Sequence, residues 1–365
     1  LKHKLILFGT GSSSEKIQSL INEKDNNIIG YVDNNVEKQG GVIFGRPIWH
    51  PSVLCDKEFD YIIICSIYFT EILSQLLEMG IQTNKIINIY QEIRYNELKL
   101  KFSEIKNDTD MLITGMSYAR YGIDSKLLNL KSINLAFNSQ DIFYDYCLAK
   151  YILESYKLNI KYALIGLAYF SFHFDLSQSK ERHLVTRYAV IKDIQKQVNQ
   201  QKYDEFVKPN EEKMQHPRNF NFLNGVFEKT FLDKFDFLEQ NDKNYRNFEI
   251  ERRDLARVHS GKKYLKTLEE NKKYLDSYIR LLLEKGIKPI FIIHPQACEY
   301  REHFNPKMIG EFKEIINKFK FNYNISVVDL FSSNEFTNDD FFDVHHLNSQ
   351  GATKVSKIIN NILES

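Results

Sequence analysis

Short apolar runs alternate along this chain with longer stretches in which apolar residues recur every three or four positions. The runs predict strands and the stretches predict helices. Residues 4–8 form the first run, which ends in Gly9-Thr10-Gly11-Ser12-Ser13-Ser14. Residues 15–22 follow, with Ile17, Leu20 and Ile21 at helical spacing, and Ser12, Ser13 or Ser14 can cap that helix. Residues 28–32 make a second strand, closed by Asp33-Asn34-Asn35. Glycine turns at 40–41 and 45–47 flank a short strand. Residues 61–65 are a further strand, a helix spans about 69–79, and 85–90 is a last short run.

A second series begins at Met111, after a polar stretch (91–109) that reads as a helix and then a linker. Strands are expected at 111–114, 132–136, 162–167, 289–293 and 326–329, each short and apolar on both faces, as buried parallel strands are. The gap from 167 to 289 is too long for one crossover, so residues 172–258 read as a helical insertion rich in Lys, Gln, Asn and Phe. Residues 264–284 form the crossover helix, with Leu268, Leu275, Ile279 and Leu282 along one face. The expected α/β organisation is therefore a half-Rossmann domain over 1–90, a helical connector over 91–109, and a five-stranded parallel domain over 110–365. No repeat of fixed period is present.

Composition narrows the function classes. Gly and Pro number only 15 and 7 in 365 residues, which excludes collagen-like and low-complexity architectures. With 43% hydrophobic and 13% aromatic residues, the chain can bury a sizeable core. Lys plus Arg (49) balance Asp plus Glu (48), so the basic excess of a nucleic-acid binder is missing. No apolar run approaches the roughly 20 residues of a membrane span, and the N-terminal run is too short for a signal peptide. Cys55, Cys65, Cys147 and Cys298 form no C-x-x-C; Cys55, Cys65 and Cys298 lie in or near apolar segments. These features lead us to expect a reduced, cytoplasmic, soluble protein.

Two motifs carry candidate chemistry. The first strand of the second series ends in Thr114-Gly115-Met116-Ser117, at the edge where parallel sheets build sites. Gly115 allows close backbone approach, and the following segment can bring helix N–H groups near the serine oxygen. A serine in such a turn is also a common helix cap. Near the C-terminus, Asp343-Val344-His345-His346-Leu347-Asn348 precedes the last amphipathic helix. An Asp three residues before a His can orient the imidazole while its other nitrogen faces a serine; the alternative is a solvated polar loop. His294, in Ile293-His294-Pro295, ends the fourth strand and either contacts substrate or is structural. His173, His183 and His216 have no partners at metal-ligand spacing, so no metal is expected.

On Gly115-Met116-Ser117 and Asp343-Val344-His345-His346, residues 110–365 resemble the SGNH (GDSL-like) hydrolase superfamily, a flavodoxin-like fold. The following Leu347-Asn348-x-x-Gly351 is similar to the branch of D-alanylation accessory and polysaccharide O-acetylation proteins. The resemblance implies Ser117 as nucleophile, His346 as general base and Asp343 as its orienting partner. His345 competes for the base role but stands only two residues from Asp343. The family's oxyanion glycine and asparagine are absent at their usual places. Donors could come from the backbone around Ser139, from the Asn138 side chain or from the Ser117 N–H, with Tyr169 a further candidate; Asn138 and Tyr169 also suit structural roles. Losing one oxyanion donor costs roughly 3 to 4 kcal/mol of transition-state stabilisation.

The N-terminal segment carries Gly9-x-Gly11 and Asp33, part of a dinucleotide fingerprint without its third glycine. On Leu7-Phe8-Gly9-Thr10-Gly11, Gly30-Tyr31-Val32-Asp33-Asn34-Asn35 and Val42–Ile43 followed by Phe44-Gly45-Arg46-Pro47-Ile48, it resembles the nucleotide-sugar-binding domain of bacterial sugar acetyltransferases. That implies Gly9, Gly11, Ser12 and Asp33 as lining of a nucleotide-sugar cleft; the alternative is a domain that only scaffolds. The expected function is an esterase or O-acetyltransferase acting on a bacterial surface glycan or its precursor in polysaccharide biosynthesis. It would need no metal or redox cofactor, and the acyl donor is open. The rivals are a non-catalytic carbohydrate-binding protein and an NAD-dependent sugar enzyme.

Overall fold

The computed structural model describes residues 2–66, 68–191, 226–227 and 248–364. They fall into two compact units, the first made of residues up to Leu98 with Val226 and Phe227, the second of those from Lys99 on.

The first unit begins with β1 (His3–Phe8), α1 (Ser12–Ser19) and β2 (Asn26–Val32). Then come β3 (Val42–Ile43), β4 (Arg46–Trp49), β5 (Tyr61–Ile64), α2 (Phe69–Glu78), β6 (Ile86–Asn88) and α3 (Ile89–Ser103), whose residues from Lys99 on count with the second unit. The six strands form one sheet in the order β3-β4-β2-β1-β5-β6. Every pairing is parallel except β3–β4, so the sheet is mixed. The cause is local: Phe44 and Gly45 both take positive φ (49° and 72°), as a tight hairpin turn of the mirror-image type requires. Leu5 to Phe8 are all fully buried at the centre. Gly11, not a serine, occupies the N-cap of α1. The glycine turn is so tight that the helix starts at once: Gly9, at φ 108°, brings the chain against the Cys65 carbonyl.

The second unit is built from β7 (Met111–Gly115), α4 (Ser117–Gly122), β8 (Ser132–Asn134), α5 (Ile142–Ser155) and β9 (Tyr162–Leu167). After the expected insertion come α6 (Phe248–Ser260), α7 (Leu265–Glu284), β10 (Lys288–Ile293), α8 (Cys298–His303), α9 (Pro306–Tyr323), β11 (Ser326–Asp329) and α10 (Ser349–Glu364). The five strands run in the order β11-β10-β9-β7-β8, all parallel. Alternation along β7 sends Met111 and Ile113 into a core with Ala119, Val355 and Ile359 of α4 and α10. Thr114 points the other way and meets the Tyr278 hydroxyl of α7 at 3.1 Å. Helices thus cover both faces.

Within 172–258, residues 192–225 and 228–247, His216 among them, lie outside the described residues. Cys65 and Cys147 are buried and Cys55 and Cys298 exposed, all four free. Among the described residues no helix is long and apolar enough to cross a membrane.

Candidate active site

The strand order fixes where the site can lie. β8 and β9 flank β7 on opposite sides, so the chain reverses direction across the sheet at β7, and a crevice opens beyond its C-terminal end. Ser117 stands there, half-buried, as the first residue of α4. Two glycines allow α4 to start so close to the sheet. Gly115 pairs with Gly166 across β7 and β9 and takes φ 138°. A Cβ on Gly115 would sit 2.8 Å from the Gly166 carbonyl oxygen, and one on Gly166 would sit 2.7 Å from the Ala119 Cβ of α4. Asp145, buried in α5, accepts a hydrogen bond from Gln140 Nε2 at 2.7 Å and another from the Gly115 backbone. Burial pushes its carboxyl well above the usual range.

The loop before α10 folds back on itself. Phe341 bridges to Leu347, and the Phe342 N–H donates to the His346 carbonyl at 3.0 Å. Asn348 caps α10, accepting from the N–H groups of Gln350 and Gly351 at 2.9 and 3.1 Å. Inside this loop Asp343 Oδ1 accepts the backbone N–H groups of His345 and His346, at 2.9 and 2.8 Å. Asp343 Oδ2 meets His346 Nδ1 at 2.7 Å. A carboxylate only accepts, so Nδ1 carries a proton, and in the neutral imidazole Nε2 is the nitrogen with the lone pair. That Nε2 is buried and has no hydrogen-bond partner. Burial alone would raise the Asp343 pKa, but the hydrogen bond and charge of His346, and then His345, hold it below the usual carboxylate range.

His346 lies against α4. Its ring makes an edge contact with Tyr121 at 5.1 Å between centroids and a tilted one with Tyr118 at 5.9 Å. Ser117 and Tyr121 are one helical turn apart and share a face of α4. No hydrogen bond joins Ser117 Oγ to His346 in this structure. The Ala119 N–H of α4's first turn already donates to the Met116 carbonyl at 2.9 Å, which leaves the N–H groups of Ser117 and Tyr118 at the helix start. His345, the rival base, gives its backbone N–H to Asp343, while its Nδ1 is buried without a partner. Burial, and then the charge of His346, depress its pKa well below the usual histidine value.

The oxyanion candidates divide. Asn138 donates to the Tyr121 hydroxyl at 3.1 Å, on the rim of the imidazole site. Ser139 takes a left-handed φ of 56° and gives its hydroxyl to Glu181. Tyr169 spends its hydroxyl on Asp329 at 2.7 Å. His294 is 2% exposed, with its Nδ1 packed so closely that a Cβ on Gly122 would lie 2.6 Å away. Neither ring nitrogen has a partner, and burial drives its pKa down to about 3. With Tyr118, Tyr169, Gln296 and Tyr300 it lines a cavity of about 10 Å³, the size of one water. Asp343, His345 and His346 could each offer a metal one ligand atom, all within 4.8 Å, although the Asp343 carboxylate already serves His346 and two N–H groups.

In the first unit the Asp33 carboxylate is also occupied. It accepts the Thr10 backbone N–H at 3.0 Å, the Thr10 hydroxyl, and the Asn35 N–H at 2.9 Å. Gly9 and Gly11 form the turn that Asp33 closes. The Ser12 side chain lies outside the described residues.

This geometry can be set beside known proteins. Residues 1–87 match the family C2185-like, N-terminal. No curated protein matches the chain. One similar solved structure is that of a Bacteroides fragilis protein described as a "putative acylhydrolase". It is 10% identical, with a TM-score of 0.37 over 74% of this chain and 96% of that one.

Sequence reasoning missed the residues that α6 brings to the site. Arg252 hydrogen-bonds the base loop, and His259 packs on Phe170 at 4.2 Å and meets the Tyr300 hydroxyl at 2.8 Å. Both sit in a helix of mixed polarity with no motif around them. The signal was their place where the long insertion ends, Arg252 within it and His259 just after it.

Proposed function

We propose that the second unit is an SGNH-type serine esterase or O-acyltransferase, with Ser117 as nucleophile, His346 as general base and Asp343 as its orienting carboxylate. The observation that carries the reading is the Asp343–His346 pair: it engages Nδ1 and leaves Nε2 without a hydrogen-bond partner beside the helix that Ser117 begins. The parallel strand order and the glycine pair under α4 support it.

In this reading Ser117 Oγ attacks the ester carbonyl carbon while His346 Nε2 takes the hydroxyl proton. The carbonyl π electrons move to oxygen, and N–H groups at the start of α4 stabilise the oxyanion. The intermediate collapses, the C–O bond to the alcohol breaks, and His346 returns the proton to the leaving oxygen. Water or a sugar hydroxyl then attacks the acyl-serine by the same steps in reverse. Asp343 stays ionised throughout. An acetyl ester of a bacterial surface glycan or its precursor is the proposed substrate. The first unit serves as a scaffold in this proposal, because the Asp33 carboxylate that would grip a ribose or sugar hydroxyl already binds the turn.

The test is hydrolysis of 4-nitrophenyl acetate together with labelling by a fluorophosphonate probe. Ser117→Ala and His346→Ala are expected to abolish both, and Asp343→Asn to lower kcat by about 10⁴-fold. Hydrolysis that survives Ser117→Ala overturns the triad. The missing Ser117–His346 hydrogen bond favours one rival, a non-catalytic glycan-binding protein, and a wild-type protein that never labels would point to it.

A further inference from the structure

Arg252 projects from α6 toward the base loop and is 5% exposed. A buried guanidinium is costly unless its charge and its donors are all matched. Here its Nη1 pairs with Glu299 Oε2 of α8 at 3.3 Å, and Glu299 Oε1 is held in turn by Asn338 at 2.8 Å. Burial would raise the Glu299 pKa, but its backbone N–H, Asn338 and Arg252 together keep it low and the carboxylate charged. Two further donors reach main-chain carbonyls: Nε to Val344 at 3.1 Å and Nη2 to Asp343 at 3.5 Å.

The Val344 carbonyl belongs to the same peptide plane as the His345 N–H. That N–H donates to Asp343 Oδ1 at 2.9 Å, and Oδ2 of the same carboxylate holds His346 Nδ1 at 2.7 Å. The chain of bonds therefore runs from Arg252 through one planar peptide to the carboxylate and on to the imidazole. A peptide plane is rigid, so fixing its oxygen fixes the direction of its N–H. A cation on the carbonyl also polarises that N–H and strengthens the bond it gives.

We propose that Arg252 is a positioning residue, which sets the Asp343–His346 pair through the Val344–His345 peptide while Glu299 balances its charge. The proposal rests on the triad reading for its effect on rate, but not for its effect on the pair itself. Without the guanidinium the peptide can rotate, the carboxylate loses one of its anchors, and the imidazole swings.

Two measurements test it in the full chain. Proton NMR reads the low-field signal of the His346 Nδ1–H, and steady-state kinetics on 4-nitrophenyl acetate reads kcat and KM separately. In Arg252→Met the signal is expected to disappear or shift, with kcat lowered by about 10²-fold and KM changed little, since a misplacement of about 1 Å can cost that much. Arg252→Lys, which can keep the Glu299 pair and one carbonyl bond, is expected to recover part of the rate and of the signal. If Arg252→Met fails to fold, the Lys variant carries the test, and the proposal requires its signal to be displaced. An unaltered signal in a folded variant overturns the proposal, as does a loss confined to KM. A wild-type protein that shows the signal but neither hydrolyses esters nor labels overturns the triad reading and leaves the clamp standing.

Discussion

His294 directly follows β10 beside the site yet has no polar partner for either nitrogen. Burial lowers its pKa to about 3, and burial followed by the charges of Lys262 and His346 lowers that of His259 to about 3 as well. Both stay neutral in the fold at pH values where an unfolded histidine takes up a proton. The unfolded state then binds more protons, so stability is complete above about pH 6.5 and declines as pH falls below it. Each such group adds a slope of about 1.4 kcal/mol per pH unit between its two pKa values. Urea unfolding of the full chain across about pH 4 to 7 is expected to show this decline. His294→Leu should flatten it by about one proton's worth, and a slope unchanged by the substitution would contradict the assignment.

Elements carried most of what could be read before the structure, because the pattern that marks a buried parallel strand is local. β9 and β11 begin and end where the apolar runs do. β6 stops at Asn88 because α3 begins at Ile89, a boundary that reading 85–90 as one short run conceals. The Asp343–His346 spacing was legible for the same reason, since one loop holds both residues. Arg252 and Tyr121 were not legible: their roles depend on which helix lies across the base loop, and no periodicity encodes that. Gly166 is an intermediate case, a glycine in a strand whose purpose appears only when α4 is laid on it. A methyl group there would stand 2.7 Å from the Ala119 Cβ and 3.2 Å from the Thr114 carbonyl. Gly166→Ala is therefore expected to push α4 outward, at about 1 to 3 kcal/mol of stability. Its labelling rate at Ser117 should fall by more than that loss of folded protein explains. A normal rate in a destabilised variant would separate α4's position from the chemistry.

At the scale of the molecule the two units are not two consecutive stretches of sequence. The chain contributes Val226 and Phe227 to the first unit, far from the rest of it in sequence. Phe227 is fully buried and bridges to Ile21, and the Val226 carbonyl accepts from the Asn22 N–H at 3.0 Å and from Asn26 Nδ2 at 3.2 Å. Two residues from within the expected insertion, Val226 and Phe227, thus join the buried core of the first unit. Two consequences differ from those of simple tandem domains. Truncating a buried phenylalanine costs about 3 to 5 kcal/mol, so Phe227→Ala is expected to lower the unfolding midpoint of the first unit, although it lies more than a hundred residues away in sequence. Hydrogen exchange of the β1 and β5 amides in the full chain would show that loss directly. A fragment ending at Leu98 lacks the same plug and should expose Ile21 and Ile17. It is expected to melt without a cooperative transition, and a synthetic peptide centred on Val226-Phe227 should restore one. A fragment that melts cooperatively, unchanged by the peptide, would mean that the first unit is self-sufficient and that these two residues only rest on it.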